Sequence, residues 1–411
     1  MRRRVVVTGL GAVTPLGLGP EALVEGLLEG RSGVGPLTRF DASGFPTRIA
    51  AQVAWEPEES AFAKRDRKIG FALEAARQAL ADAGRQDGAG GPGGLGGLHL
   101  GIGLELFSMP DMAALRAGAT PPTARGERLT FLQTPSDLVV PLLSERHGLR
   151  APPRVHVSAC AAGSDAIGTA FHSVSRGRSE WALCGGTDSM INLLGVAGFC
   201  KLRAMSRRND SPQEASRPFD RARDGFVLGE GSGLLVLESL EAAQARGARI
   251  HAEVCGYART LDAFGISEPH PNGEGAYRAM LGALSDAGLT PADVDCISAH
   301  GTSTPKNDPV ETEAIKRLLG ERAHEVPVVA AKSALGHLIS AAGAVEAVAA
   351  IGCLERQRLH PTLNLSDPDP ACDLDYVAGG ARDYAHRVTL SNSFGFGGQN
   401  ACLVLKRWES Q

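Results

Sequence analysis

Residues 70–84, GFALEAARQALADAG, and residues 274–288, EGAYRAMLGALSDAG, share a length, an alanine-rich helical period and an ending. The first closes on Ala81-Asp82-Ala83-Gly84 and the second on Ser285-Asp286-Ala287-Gly288, with glycine where the residue after a helix belongs. A second parallel strengthens the echo. The run 154–158 (RVHVS) passes through Cys160 into a helix of small residues, and the run 326–331 (VPVVAA) passes through Lys332 and His337 into another, AAGAVEAVAA. Two related α/β halves of roughly 200 residues, with chemistry at strand-to-helix turns facing each other, fit this pattern. We place them at 1–245, carrying Cys160, and 246–411, carrying His300 and His337.

The rest of the chain reads the same way. Strands are expected at 4–8, 154–158, 232–238, 251–257, 326–331 and 387–391, and helices at 70–84, 161–176, 274–288, 309–319 and 338–356. β-Branched runs alternating with helical ones indicate an α/β protein with buried strands. Residues 87–97, DGAGGPGGLGG, have no apolar face to bury and read as a flexible loop.

Composition narrows the function. Of 411 residues 43% are hydrophobic and 21% charged, enough for a large core, and the net charge of −4 argues against a nucleic-acid binder. Glycine, at 51 residues, is about twice its usual share of ~7% and implies close backbone approaches. The start MRRRVVVTGLGAVTP is too short and too broken for a signal or a membrane span, so a cytoplasmic protein with eight reduced cysteines is expected. No CxxC pair occurs, which argues against structural zinc. In Gly9-Leu10-Gly11 the third glycine of a dinucleotide fingerprint is replaced by Thr14, followed by Pro15. P-loop, zincin and G-x-S-x-G signatures do not occur.

Cys160, in Ser158-Ala159-Cys160-Ala161-Ala162-Gly163, follows a strand and opens a helix, where free N–H groups and the dipole favour a thiolate. On this context alone a reactive thiol and a buried small hydrophobe are evenly balanced. His300, in AHGTSTPKND, and His337, in KSALGH, lie at similar strand exits beside glycine, which suits two imidazoles aimed into one cavity. The loop 392–400, NSFGFGGQN, either lends backbone N–H groups to a substrate oxygen or forms an aromatic plug.

SACAAG, AHGTSTPKND, KSALGH and NSFGFGGQN, with VVVTGLGAVTPLG, RPFDRARDGFVLGEGSG and EPHPNGEGA, span nearly the whole chain in this order. The set resembles the elongating β-ketoacyl-acyl-carrier-protein synthases, closest to ketoacyl synthase II. The resemblance implies a duplicated thiolase-like fold of five layers, α-β-α-β-α, in a homodimer without an organic cofactor. In some members a monovalent cation lies near the site; its presence here is left open. Carried over by motif, Cys160 is the acylated nucleophile. His300 and His337 serve decarboxylation, and Lys332 and Glu346 support them. The N–H groups of Cys160 and Phe396 form the oxyanion hole, Phe396 gates the acyl pocket, and Thr302 and Thr304 hold the pantetheine arm.

The implied partner, an acidic acyl carrier protein, calls for a basic rim. Candidates are Lys64, Arg65, Arg67 and Lys68, and Lys201, Arg203, Arg207 and Arg208. Departures from the family pattern bear on the substrate. Ala162 replaces the usual Thr or Ser, and Lys306 stands where an apolar residue is common. Leu104, Leu106 and Phe107 replace small residues, from which a shortened acyl pocket lined by Leu106 and Phe107 is expected. Malonyl-dependent condensation in fatty-acid or polyketide elongation is the reading; the alternative is a non-catalytic chain-length partner of a heterodimer.

Overall fold

A computed structural model describes residues 2–57, 66–85, 96–104, 106–107, 113–114, 116–119, 133–134 and 136–409. Its frame is ten strands: β1 (Val5–Thr14), β2 (Gly97–Ile102), β3 (Arg154–His156), β4 (Trp181–Asp188), β5 (Gly231–Ser239), β6 (Ala252–Leu261), β7 (Cys296–Ser298), β8 (Val328–Val329), β9 (Val388–Gly395) and β10 (Gln399–Arg407). Their spatial order is β8-β7-β9-β10-β6-β1-β5-β4-β2-β3, with Gly17–Leu18 folded back on β1.

The order is a palindrome about the β1–β6 contact. From β1 outward the pairings run antiparallel, antiparallel, parallel, parallel. They run the same way from β6. Only Val5, Val6 and Val7, opposite Val254, Glu253 and Ala252, join the two halves across the middle.

The echo in the sequence has a local cause. β1 carries a bulge between Val7 and Gly9, and β6 carries one between Val254 and Gly256. A bulge reverses which side chains face inward. Val5, Val7, Leu10 and Ala12 accordingly share one core, as do Ala252, Val254 and Tyr257. The first half packs α1 (Arg67–Asp82) on its bulge and the second packs α3 (Glu274–Ala287). A Cβ at Gly9 would stand 2.1 Å from the Ala79 carbonyl oxygen, and one at Gly256 2.2 Å from that of Ala283, so only glycine fits. The aspartates then satisfy the bulged backbone: Leu10 N–H donates to Asp82 (2.9 Å) and Tyr257 N–H to Asp286 (3.0 Å).

Two further helices, α2 (Ala162–Ser175) and α4 (Ala342–Arg356), lie between the half-sheets and share their core. With α1 and α3 outside, the chain has the five layers α-β-α-β-α. Each inner helix is entered through the same turn, in which Ala159 and Ile339 take φ of 48° and 46°. That turn places Cys160 and Ser340 at matching positions.

His251 bridges elements of both halves. It lies between Asp82 (2.8 Å) and Glu355 (2.9 Å), with Arg249 also on Glu355. Burial disfavours its charge, but the two carboxylates outweigh burial and push its pKa up to about 9. A raised folded-state value means a contribution that is complete below the unfolded value of about 6.5 and lost as pH rises through 9. The Tm difference between wild type and His251→Gln is therefore expected to be largest near pH 6 and to shrink steadily toward pH 10. A pH-independent difference would contradict the charged bridge.

Most of the sequence-predicted elements lie within a few residues of their expected places. Strands β2, β4, β7 and β10 and the helices Pro20–Leu28, Val139–His147, Leu193–Lys201 and Leu240–Ala245 are additions. Most of the glycine-rich loop lies outside the described residues. All eight cysteines are free. Among the described residues no helix is long and apolar enough to cross a membrane.

Candidate active site

Cys160 sits in the turn Ala159–Ala161 that opens α2, buried at the floor of a cavity of about 410 Å³. His300, His337, Thr302, Thr304 and Phe396 line the same cavity. His337 Nε2 is 3.0 Å from Cys160 Sγ. The reactive atoms of Cys160, His300 and His337 all lie within 4.8 Å of one another.

A donor at Nδ1 fixes the tautomer of each imidazole, a backbone N–H for one and a side-chain ammonium for the other. Ile339 N–H donates to His337 Nδ1 (3.2 Å), so the proton of this ring is on Nε2, facing the thiol. Lys332 Nζ donates to His300 Nδ1 (3.2 Å) and to the His300 carbonyl (2.7 Å), and it also binds Glu346. His300 is thereby left with its Nε2–H free to donate. Burial holds both rings well below the ordinary histidine pKa, and the Lys332 charge pushes them the same way. The site therefore offers two neutral donors beside the sulfur, their rings crossed edge to face with centroids 5.3 Å apart.

The thiol departs from the sequence expectation. Burial is the dominant influence and pushes Cys160 up to about 11, so the resting side chain is a thiol rather than a thiolate. The N–H of Phe396, the Lys332 charge and the N–H of Cys160 itself act in the expected direction but are outweighed. Those two N–H groups converge at the sulfur, where an oxyanion on an acyl group would form. Phe396 stacks on Phe199, with centroids 6.3 Å apart.

Sequence reasoning passed over Glu311 and Asp308. Glu311 accepts from the N–H groups of His300 and Gly301, both at 2.8 Å, and Asp308 accepts from Thr302 N–H at 3.1 Å. Two carboxylates on the first turns of the helix Asn307–Leu319 thus pin the loop that carries His300. Their spacing, Asp-x-x-Glu directly after GTSTPKN, was the available signal. Thr302 and Thr304 share a hydroxyl contact of 2.9 Å on the cavity wall.

For a monovalent cation the residues fit in kind. Glu346 Oε2 and Asn392 Oδ1 are buried without hydrogen-bond partners, and Asn392 Nδ2 donates to Glu311 (3.2 Å). The Glu346 carboxyl is pushed up to about 7 chiefly by burial, with Glu311 adding to the rise. Unpartnered oxygens among carboxylates suit a hard cation.

The basic rim needs correction. Arg67 and Lys68 lie on the buried first turn of α1, where internal carboxylates consume their charges. Arg67 is paired with Glu230, and Lys68, 2% exposed, lies 2.7 Å from Asp66 and donates to the Leu104 carbonyl (2.9 Å). Neither can meet a docking protein. Lys64 and Arg65 lie outside the described residues. Lys201, Arg203 and Arg207 are exposed, Arg208 is half-buried, and Arg203 lines the cavity. Leu106–Phe107 form a short strand against Gln133–Thr134, their side chains lying outside what is described. Leu104 is 65% exposed and fills no pocket within this chain.

Comparison with known proteins agrees with this geometry. The N-terminal domain profile of beta-ketoacyl synthases matches residues 2–243, and the C-terminal domain profile matches 251–366. The chain is 46% identical to a Synechocystis 3-oxoacyl-[acyl-carrier-protein] synthase 2 and 41% identical to that of Coxiella burnetii, with 99% of each chain covered. A solved beta-ketoacyl synthase from Burkholderia phymatum superposes with a TM-score of 0.88 at 36% identity, covering 100% of both chains. A type II polyketide ketosynthase complexed with its acyl-carrier protein and bound to a hexaketide gives 0.85 at 34%, covering 99% of this chain and 100% of that one. With both domain profiles matched in order and full-length relatives at 46% and 41% identity, this chain belongs to the beta-ketoacyl synthase family.

Proposed function

We propose that this protein elongates acyl chains by decarboxylative condensation, taking an acyl group on Cys160 and joining it to malonyl carried by an acyl carrier protein. Cys160 Sγ attacks the acyl thioester, the carrier thiol leaves, and the cysteine proton passes to it. Malonyl thioester then enters. Its bond to the carboxylate breaks, CO2 departs, and the electron pair becomes an enolate held by the Nε2–H groups of His300 and His337. The carbanion attacks the acyl carbonyl while the N–H groups of Cys160 and Phe396 hold the oxyanion. The bond to Sγ breaks, one proton from solvent restores the thiol, and 3-oxoacyl carrier protein leaves.

The observation that carries this reading is the cluster of Cys160, His337 and His300, with both ring protons fixed on the cavity side. A non-catalytic partner has no use for it. The identity to relatives named 3-oxoacyl-[acyl-carrier-protein] synthase 2 supports fatty-acid elongation, and the hexaketide-bound relative keeps polyketide elongation as the second reading. Incubation with acyl- and malonyl-carrier protein should give an acyl adduct on Cys160 by intact mass, then CO2 and 3-oxoacyl product. Absence of both adduct and CO2 across carrier proteins would overturn the assignment.

Three further elements belong to the proposal. A homodimer is supported by β3, whose outer edge has no partner among the described residues and whose flank exposes Val155 by 40% and Val157 by 66%. A monovalent cation among Glu311, Glu346 and Asn392 would offset their buried negative charge. Free cysteines support a cytoplasmic setting.

The surviving basic rim gives a prediction. Arg207→Glu with Arg208→Glu is expected to raise KM for acyl carrier protein several-fold more than for a small pantetheine thioester, an effect that fades with salt. Steady-state kinetics at two ionic strengths checks it. Equal loss on both substrates would remove these arginines from docking.

A further inference from the structure

Lys306 and Glu268 both line the cavity that ends at Cys160. They come from separate segments: Lys306 follows Thr304 on the loop after His300, and Glu268 lies on the segment after β6. Their side chains are in direct ionic contact although 62% and 48% exposed. An exposed pair of this kind adds little to folding stability, so its placement at the cavity mouth is the feature that needs a reason.

The neighbouring carboxylates are already engaged. Asp262 accepts from Asn400 Nδ2 (2.7 Å) and His270 N–H (3.0 Å), and Asp224 accepts from Arg207 N–H (3.0 Å). Glu268 is therefore the anion that holds Lys306. Arg203 and Lys306 are the two cations of the lining. Thr302, buried, and Thr304, half-buried, line the same cavity as exposed Lys306 and buried Cys160, on the wall that a pantetheine arm would follow inward.

We propose that Lys306 anchors the phosphate at the root of the incoming pantetheine arm, and that Glu268 occupies Lys306 until the phosphate takes its place. This rests on the condensing reaction proposed above. At rest the pair is neutral, and among the described residues that line the cavity Arg203 is the remaining free cation. On binding, the phosphate replaces the carboxylate on Nζ and Glu268 turns to water. A carboxylate and a phosphate thus compete for one ammonium, and the charge of Glu268 sets how strongly a phosphorylated substrate is held.

The test compares one acyl group presented as its phosphopantetheine thioester and as its pantetheine thioester, in acyl transfer to Cys160 of the full-length enzyme. Lys306→Met should raise KM for the phosphorylated thioester about two- to fivefold, the scale of an exposed ion pair, and leave the unphosphorylated one unchanged. Glu268→Gln should lower KM for the phosphorylated thioester alone, and that gain should largely vanish in the Lys306→Met background. Equal shifts on both thioesters, no shift on either, or a Glu268→Gln gain that survives Lys306→Met would each overturn the exchange. A wild-type enzyme that accepts neither thioester nor any acyl carrier protein would instead refute the condensing reaction itself.

Discussion

Cys160→Ala is expected to reduce elongation to an undetectable level while leaving release of CO2 from malonyl thioester in place. The acyl group has no other attachment point: Cys184 is fully buried away from the cavity, and Cys200 is not among its lining residues. In the proposed mechanism the donors for the enolate belong to His300 and His337, which are oriented by Lys332 and the Ile339 N–H, none of which depends on the sulfur. Alanine is smaller than cysteine at a site already lined by small residues, so the fold should persist with little change in Tm. Mass spectrometry of products, with peptide mapping after a thiol-directed cerulenin-like inhibitor, checks both parts. Labelling at Cys184 or Cys200, or 3-oxoacyl product from the variant, would defeat the assignment.

His300→Ala and His337→Ala should each lower malonyl decarboxylation by about 100- to 1000-fold, the usual cost of one oxyanion donor. The double variant should fall to background. Acyl transfer should survive in at least one single variant, because the proposed mechanism assigns that step to the N–H groups of Cys160 and Phe396, which face the sulfur. Since both imidazoles are held neutral by burial, the decarboxylation rate should not titrate with an ordinary histidine pKa between pH 6 and 8. Substantial CO2 release by the double variant would mean that the enolate is stabilised elsewhere.

The parts of this molecule that could be read from its sequence are those where one local rule acts alone. The Ala-Asp-Ala-Gly and Ser-Asp-Ala-Gly endings are legible because each aspartate has a job beside its own helix, closing a bulge. Strand β2 alternates Leu98, Leu100 and Ile102 with Gly97, His99 and Gly101 but starts inside the glycine-rich run that reads as a loop, and β4, buried on both faces, runs Trp-Ala-Leu-Cys-Gly-Gly without alternation. Arg67 and Lys68 look like a solvated helix face until Glu230 and the Leu104 carbonyl, distant in the sequence, are folded against them. The state of Cys160 was misjudged for a similar reason. A helix start is visible in the sequence, whereas the depth at which it is buried is not.

The matched turns at Ala159 and Ile339 set a chemical asymmetry inside a structural symmetry. One carries the Cys160 thiol into the cavity; the other carries Ser340, whose N–H donates to Asp188 (3.1 Å) and whose hydroxyl is buried. The bulge glycines and the aspartates that close the bulges likewise occur once in each half, away from the reacting atoms. Gly9 and Gly256, or Asp82 and Asp286, form such pairs, and each twin reports what its position costs in stability alone. Tolerance to substitution measured by folding and tolerance measured by turnover will therefore have different symmetries along the chain, and their difference isolates the residues that selection holds for chemistry.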